Sequence, residues 1–213
     1  MTENALQKPF HIQLFCQHEA DPPICTHLEK VLENPGLIEP NEWIDLDNKQ
    51  VMDPYGAIEF CFHDGGPSWF FDSTEDLSFY GSFLTDSLFA VETQFVPVDL
   101  YNLNQNEVFM GVQNVVAKIF EYPRKYVVLG KLGEFFKLVL VDEISGDRQE
   151  KMITISQWRL AVIEALKVYA LFYKRIVIPA FLESPLKDEI DFGVNLMSKR
   201  LEWLLGNEYS FFD

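Results

Sequence analysis

Residues 126–155 have the sequence YVVLGKLGEFFKLVLVDEISGDRQEKMITI, which predicts three consecutive β-strands. Glycine-containing runs, which are typical of tight turns, separate segments rich in β-branched and aromatic residues. Strands that are joined in order by short turns form an antiparallel meander. The strands are expected at 126–129, 134–142 and 151–155, and the turns at 130–133 and 145–147.

The middle strand of this meander is apolar in both of its alternating sets of positions. The two sets are Phe136, Leu138 and Leu140 on one face and Phe135, Val139 and Val141 on the other. This pattern is typical of a central strand in a sheet that is covered on both sides. We therefore expect helices to lie across the sheet.

Two C-terminal helices are the clearest candidates for this cover. Ser156 is a suitable N-cap for the first, which should run towards Ile178 and end at Pro179. The second should begin at Ser184-Pro185 and end at Gly206. Its apolar stripe consists of Ile190, Val194, Met197, Leu201, Leu204 and Leu205. The fold class expected is α+β, with antiparallel sheets, helices packed on them and two C-terminal helices.

The N-terminal half is expected to contribute further strands and helices. The alternation in 57–63, the turn at 64–66 and the run 68–72 together predict a β-hairpin. The other expected elements are a strand at 11–16, a helix from Asp21 to the Asn34-Pro35-Gly36 run, a short strand at 43–46, a helix at 77–88, a strand at 91–98 and a helix at 109–120. We expect one domain over residues 1–213, with 1–99 and 100–213 as alternative lobes.

The charge of the chain is confined to its first half. Residues 1–113 contain 19 acidic residues against Lys8, Lys30 and Lys49, which leaves this half with the entire net charge of −16. Residues 114–213 contain 14 acidic and 14 basic residues, and the first arginine of the chain is Arg124. Carboxylates without nearby cations repel one another and produce a negative surface potential. The asymmetry therefore indicates a surface for a cationic partner, unless it arose by chance.

Aromatic residues are interleaved with the acidic ones in this half. Aromatic anchors inside a charged rim are typical of tight protein interfaces, although each ring could equally belong to the core. The residues expected to bind the partner are Glu42, Trp43, Asp45, Asp47, Asp53, Asp64, Trp69, Asp72, Glu75 and Asp76. Tyr55, Phe70 and Phe71 belong to the same interleaved region.

These observations lead to one functional hypothesis and two alternatives. The hypothesis is an acidic cytoplasmic inhibitor of the immunity type, which neutralises a basic protein partner such as a toxin. The first alternative is an enzyme or small-ligand binder with a pocket between the N-terminal hairpin and the C-terminal helices. The second is an adaptor that uses the tail at 209–212 as a hydrophobic plug. Direct binding of nucleic acid is not expected, because the acidic half would repel phosphates.

Metal binding is not expected, although each cysteine is followed two positions later by a histidine. The pairs are Cys16 and His18, Cys25 and His27, and Cys61 and His63. The first cysteine continues the apolar face of its strand, whereas Cys61 and His63 lie opposite the apolar residues of theirs. No Cys-x-x-Cys knuckle accompanies them, so the sequence predicts neither a zinc site nor another cofactor.

No catalytic or targeting motif is present either. The chain has no Gly-x-Ser-x-Gly elbow and no phosphate-binding loop, which makes an enzyme the less favoured class. The first ten residues lack the features of a secretory signal, and the apolar segment 155–181 contains too many charges for a membrane span. Three cysteines leave one without a disulfide partner, so we expect a reducing compartment, the cytoplasm.

Overall fold

The computed structural model describes residues 10–18, 24–38, 44–45, 50–51, 54–62, 66–71, 76–92, 114–121, 125–183 and 192–212. Two four-stranded antiparallel sheets with helices packed on them confirm the α+β class. The N-terminal sheet has the strand order β2-β1-β5-β6. Its strands are β1 (Phe10–His18), β2 (Ile24–His27), β5 (Gly56–Phe62) and β6 (Trp69–Phe71). A separate short ribbon consists of β3 (Ile44–Asp45) and β4 (Gln50–Val51).

The C-terminal sheet is the predicted meander with one additional strand. Its order is β10-β9-β8-β7, and every neighbouring pair is antiparallel. The strands are β7 (Val115–Glu121), β8 (Lys125–Leu132), β9 (Phe135–Asp142) and β10 (Arg148–Thr154). The turn residues Gly133 and Gly146 have positive φ angles of 59° and 77°, which favour glycine.

Strand β7 corrects the helix that was predicted over 109–120. Val115, Val116 and Ile119 are β-branched, and the strand pairs with β8 along its length apart from a bulge after Val115. Cross-strand pairing therefore overrides a spacing that also fits a helix. The first part of the predicted helix lies outside the described residues, as does most of the strand predicted at 91–98, whose first two residues belong to a helix.

Strand β2 corrects the helix that was predicted to start at Asp21. Ile24 to His27 pair with β1, and helix α1 (Leu28–Glu33) begins only after them. Ile24 consequently lies on an edge strand and is exposed, whereas Leu28 and Val31 are buried as predicted. The predicted end at Asn34-Pro35-Gly36 is confirmed, since a 3-10 turn follows there.

Three longer helical segments complete the fold. Helix α2 (Leu77–Glu92) confirms the helix predicted at 77–88. Helix α3 (Ile155–Phe172) begins at a capping box formed by Thr154 and Gln157, rather than at the predicted cap Ser156. Helix α5 (Phe192–Leu205) carries the buried residues Met197 and Leu201 and ends before Gly206, as predicted.

Pro179 does not end the helix that contains it, contrary to the prediction. Helix α3 continues through a π turn (Tyr173–Val177) into helix α4 (Ile178–Glu183). The N–H of Ile178 donates to the carbonyl of Tyr173, five residues earlier. Proline has no N–H to donate, and its ring crowds the preceding turn of an α-helix. We attribute the passage through Pro179 to the wider π turn immediately before it.

The main core lies between the two sheets and the helices. Trp158 of α3 is at its centre and packs against rings from both sheets and from α2, namely Phe10, Phe60, Phe83 and Phe136. On the other face of the C-terminal sheet, Val128 and Val139 form a small second cluster. The prediction that the middle strand β9 is covered on both faces is confirmed only in part, because Phe136 and Leu138 are buried on the core face, whereas on the other face Val139 is buried, Val141 is half-buried and Phe135 is exposed. Among the described helices, none combines the length and the apolar character that crossing a bilayer requires.

Candidate functional surface

In the described part of the first half, polar side chains lie together on the outer face of the N-terminal sheet. Because side chains alternate along a strand, Ile12, Leu14, Ile58 and Phe60 point into the core and their neighbours point away from it. The antiparallel register brings these neighbours onto one surface. The outer face consists of His11, Gln13, Phe15, Gln17, Cys25, His27, Tyr55, Ala57, Glu59, Cys61 and Phe70.

An aromatic ridge crosses this face perpendicular to the strands. Phe70 of β6 meets Phe15 of β1 edge to face, with ring centroids 5.2 Å apart. Phe15 in turn contacts the His27 ring of β2 at 4.2 Å. Phe15 pairs with Ala57 of β5. The Ala57 side chain is too small to separate the rings of Phe15 and Phe70. Phe15 is buried, whereas Phe70 is 40% exposed, so the ridge is accessible at its β6 end.

A carboxylate lies beside the ridge. Glu59 is half-buried and is directly opposite Phe70 on one side and Gln13 on the other. One oxygen of Glu59 accepts a hydrogen bond from the Ser68 hydroxyl. The Gln13 amide nitrogen lies 3.2 Å from Nε2 of His11. We call the group of Gln13, Glu59, Cys61 and Ser68 the polar shelf.

The ionisable groups around Glu59 are shifted towards their neutral forms. Burial raises the pKa of the Cys61 thiol to about 12, and the charge of Glu59 and a hydrogen bond to it act in the same direction. Burial also lowers the pKa of His27, and Lys30 adds to this effect. Among the described residues, no lysine or arginine forms an ion pair with Glu59. The carboxylate is thus an uncompensated negative charge on this surface.

The raised pKa predicts that Cys61 reacts slowly with alkylating reagents. Only the thiolate is nucleophilic, so at pH 8 we expect Cys61 to react with iodoacetamide roughly 100-fold more slowly than an unstructured cysteine. Glu59→Gln should accelerate the reaction, because it removes the charge that disfavours the thiolate. Peptide mapping by mass spectrometry measures the rate at each cysteine. Equal rates at Cys61 before and after unfolding in urea would contradict the prediction.

The structure places the residues predicted to bind a partner in different environments. Asp76 is exposed and forms a β-bridge with Tyr55, which is 38% exposed. Asp45 pairs with Gln50 in the short ribbon. Trp69 is only 3% exposed, which corrects its interpretation as a surface anchor. The remaining residues, Glu42, Trp43, Asp47, Asp53, Asp64, Asp72 and Glu75, lie outside the described part of the chain.

The correction at Trp69 follows from the register of the hairpin. Trp69 and Phe71 pair with Phe60 and Ile58, so both face the core, and Phe70 between them faces outwards. The Trp69 indole contacts Phe62, and its Nε1 donates to Oε1 of Gln149 at 2.9 Å. Glu59 is therefore a surface residue that the sequence interpretation did not select, and Phe70, which it placed in the interleaved aromatic region, is the ring of this hairpin that faces outwards. The alternation of inward- and outward-facing residues over 58–62 identifies Glu59 and Phe70 as outward-facing once the pairing with 69–71 is known.

A groove of about 260 Å³ lies between the edge of β6 and the C-terminal sheet, and Ser68 and Phe70 are part of its lining. Trp69, Lys125, Asp142 and Gln149 contribute to its lining. The Trp69 and Gln149 side chains bond each other across it, and Oδ1 of Asp142 accepts from the backbone N–H groups of Ile144 and Ser145. These bonds lower the pKa of Asp142. The groove lies between the hairpin and the second sheet, whereas the small-ligand alternative predicted a pocket against the C-terminal helices.

The cysteines occupy different faces of the N-terminal sheet. Cys16 is buried in the core, while Cys25 and Cys61 lie on the outer face, and none of these three cysteines forms a disulfide. Within the residues that the structure describes, no group of three or more histidine, cysteine or acidic side chains is arranged to hold a metal ion. The tail also belongs to the core, because Phe211 is buried and stacks on Tyr173 at 5.0 Å. This corrects the alternative in which the tail is a free hydrophobic plug.

Comparison with known proteins gives no relative from which a function could be transferred. No protein-family model, no curated protein and no solved structure matches this chain. The function is therefore inferred from the charge and the surface of the chain itself.

Proposed function

We propose that this protein is an acidic cytoplasmic inhibitor of the immunity type, which binds and neutralises a basic protein such as a toxin. The observation that carries the proposal is the division of charge along the chain. The first 113 residues contain 19 acidic residues and three lysines, whereas the remainder is balanced. A surface of this kind attracts cationic proteins, accelerates their association and repels nucleic acids.

The ion pairs of the described residues support this contrast. In the second half, Glu150 pairs with Lys137 and with Arg148, each at 2.8 Å. In the first half, Asp86 pairs with Arg200, which belongs to the second half. Glu59 has no such partner among the described residues. The first half itself contains only three bases, so its carboxylates rely on cations from elsewhere, such as Arg200 for Asp86, and we propose that a basic partner supplies further ones.

The mechanism that we propose is competition for the basic surface of the partner. A nuclease that binds nucleic acid uses lysine and arginine to contact phosphates. The excess carboxylates of the first half have the same sign of charge as that phosphate backbone and would occupy the same basic residues of the partner. Exposed rings such as Phe70 and Tyr55 would add apolar contact area, which slows dissociation.

Charge-neutralising variants test the proposal. One variant replaces Glu42, Asp45, Asp47, Asp53, Asp64, Asp72, Glu75 and Asp76 by the corresponding amides. The control replaces an equal number of second-half acids, Glu134, Asp147, Glu183, Asp188, Glu189, Glu202, Glu208 and Asp213, so both variants have the same net charge. We expect the first variant to lose at least about 10-fold in affinity for basic proteins and the control to lose little, because only the first removes excess negative charge from the acidic half.

The measurement is capture from a native cytoplasmic lysate by the immobilised protein. Basic proteins should bind at about 50 mM salt and be released at about 500 mM, since salt screens exposed charges over about 10 Å or less. The affinity of each captured protein is then measured with both variants. Equal losses in the two variants, or binding that salt does not weaken, would contradict the proposed function.

A small-ligand binder or enzyme is the second candidate, and the groove beside β6 is the observation that favours it. Its volume of about 260 Å³ is near the lower end of ordinary ligand pockets. However, the indole of Trp69 and the carboxylate of Asp142 are already bonded within the fold. The groove therefore supplies fewer converging polar groups than an active site uses, and the charge argument is stronger.

A further inference from the structure

We propose that the polar shelf beside Phe70 is a binding site for an arginine side chain of the basic partner. The inference rests on the proposed function and specifies where on the molecule one cationic residue would bind. In the complex, the guanidinium would pair with the Glu59 carboxylate and lie against the Phe70 ring.

The polar shelf carries the negative charge of Glu59. Glu59 is partly withdrawn from water, and its described partners are a hydroxyl and a thiol, neither of which carries a compensating charge. Withdrawal of a carboxylate from water costs free energy that a cation in contact with it recovers. The shelf is therefore complementary to a cation, and the rest of the chain does not provide one among the described residues.

The second feature of the shelf is the position of Phe70. Glu59 and Phe70 are directly opposite on β5 and β6, so their Cβ atoms are about 5 Å apart. Phe15 holds the Phe70 ring by an edge-to-face contact at 5.2 Å, while much of that ring is still exposed. A guanidinium is planar, stacks on aromatic rings and donates several hydrogen bonds in one plane. It can therefore contact the ring and the carboxylate at the same time.

The alternatives to arginine fit the shelf less well. A metal ion would need further ligands, and the described residues offer no group of three that could hold one. A lysine ammonium would satisfy the charge but is compact and strongly hydrated, so it gains less from the ring. Strand β6 is the edge of the N-terminal sheet among the described strands, and the exposed Phe70 ring and Ser68 line the groove between this edge and the C-terminal sheet, which gives an approaching side chain access to the shelf. An arginine is the side chain that matches all of these features.

Synthetic hexaarginine and hexalysine peptides, with hexaglutamate as a blank, are the probes for this site. Binding is measured by fluorescence anisotropy at about 150 mM salt, at which distant charges are screened. We expect the protein to bind hexaarginine more tightly than hexalysine. Glu59→Gln should weaken hexaarginine binding about 10-fold and Phe70→Ala several-fold. Glu150→Gln is the matched control, because that carboxylate already has Lys137 and Arg148 as partners, and it should change binding less than 2-fold.

Side-chain NMR shifts locate the bound peptide directly. Hexaarginine should perturb Glu59, Phe70 and Phe15, and Glu59→Gln, which keeps the size of the side chain and a carbonyl acceptor for Ser68, should reduce the shifts of Phe70 and Phe15 at the same peptide concentration. If hexaarginine binds but the shifts map elsewhere and Glu59→Gln has no effect, the shelf is not the site, while the proposed function stands. If the peptide binds no better than hexaglutamate, both the site and the proposed function are wrong.

Discussion

Replacement of Trp158 by alanine is expected to lower the free energy of unfolding by about 3–5 kcal/mol, which is enough to unfold a marginally stable domain. Trp158 is fully buried and contacts Phe10 and Phe60 of the N-terminal sheet and Phe136 of the C-terminal sheet. Its Nε1 also donates to Oγ of Ser87 at 3.0 Å. The substitution therefore creates a large cavity at the place where the two sheets and α2 meet.

Urea denaturation followed by circular dichroism measures this loss. Trp203→Ala is the control, because Trp203 is 58% exposed and makes only a surface stack with Phe89. We expect the control to cost less than about 1 kcal/mol, as is usual at the surface. A similar midpoint for both variants would show that Trp158 is not the centre of the core.

Replacement of Gly81 by valine is expected to destabilise the protein by about 3 kcal/mol, the upper end of the range for overpacking. A Cβ at Gly81 of α2 would lie 2.7 Å from Cζ and 2.9 Å from Cε2 of Tyr169 on α3. Tyr169 is fully buried and is held between Tyr173 and Phe211, so its ring has little room to move. The gain in helix propensity over glycine is below about 1 kcal/mol and cannot offset the clash.

The same denaturation experiment tests this prediction with two further variants. Gly36→Val is the control, since the nearest atom to a Cβ at that exposed position is 3.5 Å away. Tyr169→Leu in the Gly81→Val background should recover part of the loss, because it removes the ring that the new side chain meets. If Gly81→Val leaves the midpoint unchanged, α2 and α3 do not approach each other as closely as the structure indicates.

The parts of the fold that the sequence predicted correctly are those in which local pattern and tertiary packing agree. The meander over 126–155 is an example, since its strands, turns and pairing are local in sequence and one face of its central strand packs into the main core. Helix α2 and the hairpin of β5 and β6 were predicted for the same reason. In each of these elements, the local sequence indicates which residues pair or which residues form the buried stripe.

The errors occurred where a distant partner decides the local structure. Ile24 to His27 fit the start of a helix, but β1 recruits them as an edge strand. Residues 115–121 also fit a helical spacing, but β8 pairs with them. Proline reliably ends a helix only when the preceding turn is α-helical. The spacing of apolar residues does not predict the π turn that precedes Pro179. These long-range pairings and this turn cannot be predicted from the local pattern of a single sequence.

The candidate surface was predictable in its charge but not in its geometry. The excess of acidic residues in the first half is a property of the sequence. Which aromatic residue faces outwards depends on the pairing of β6 with β5, and this pairing turns Trp69 into the core and Phe70 outwards. The hydrogen bond from Ser68 to Glu59 depends on the same pairing, whereas Cys61 lies on the same face of β5 as Glu59, two residues further along the strand.

The π turn between α3 and α4 has a consequence for comparing this chain with any future relative. Each residue of an α-helix advances the chain by about 100° around the axis, so the extra residue of the π turn rotates everything that follows by a similar angle. A relative with an uninterrupted helix here would bury positions displaced by one from Ile178 and Phe181. A correct alignment of the two would need a one-residue gap between Tyr173 and Val177, although neither chain would have a loop there.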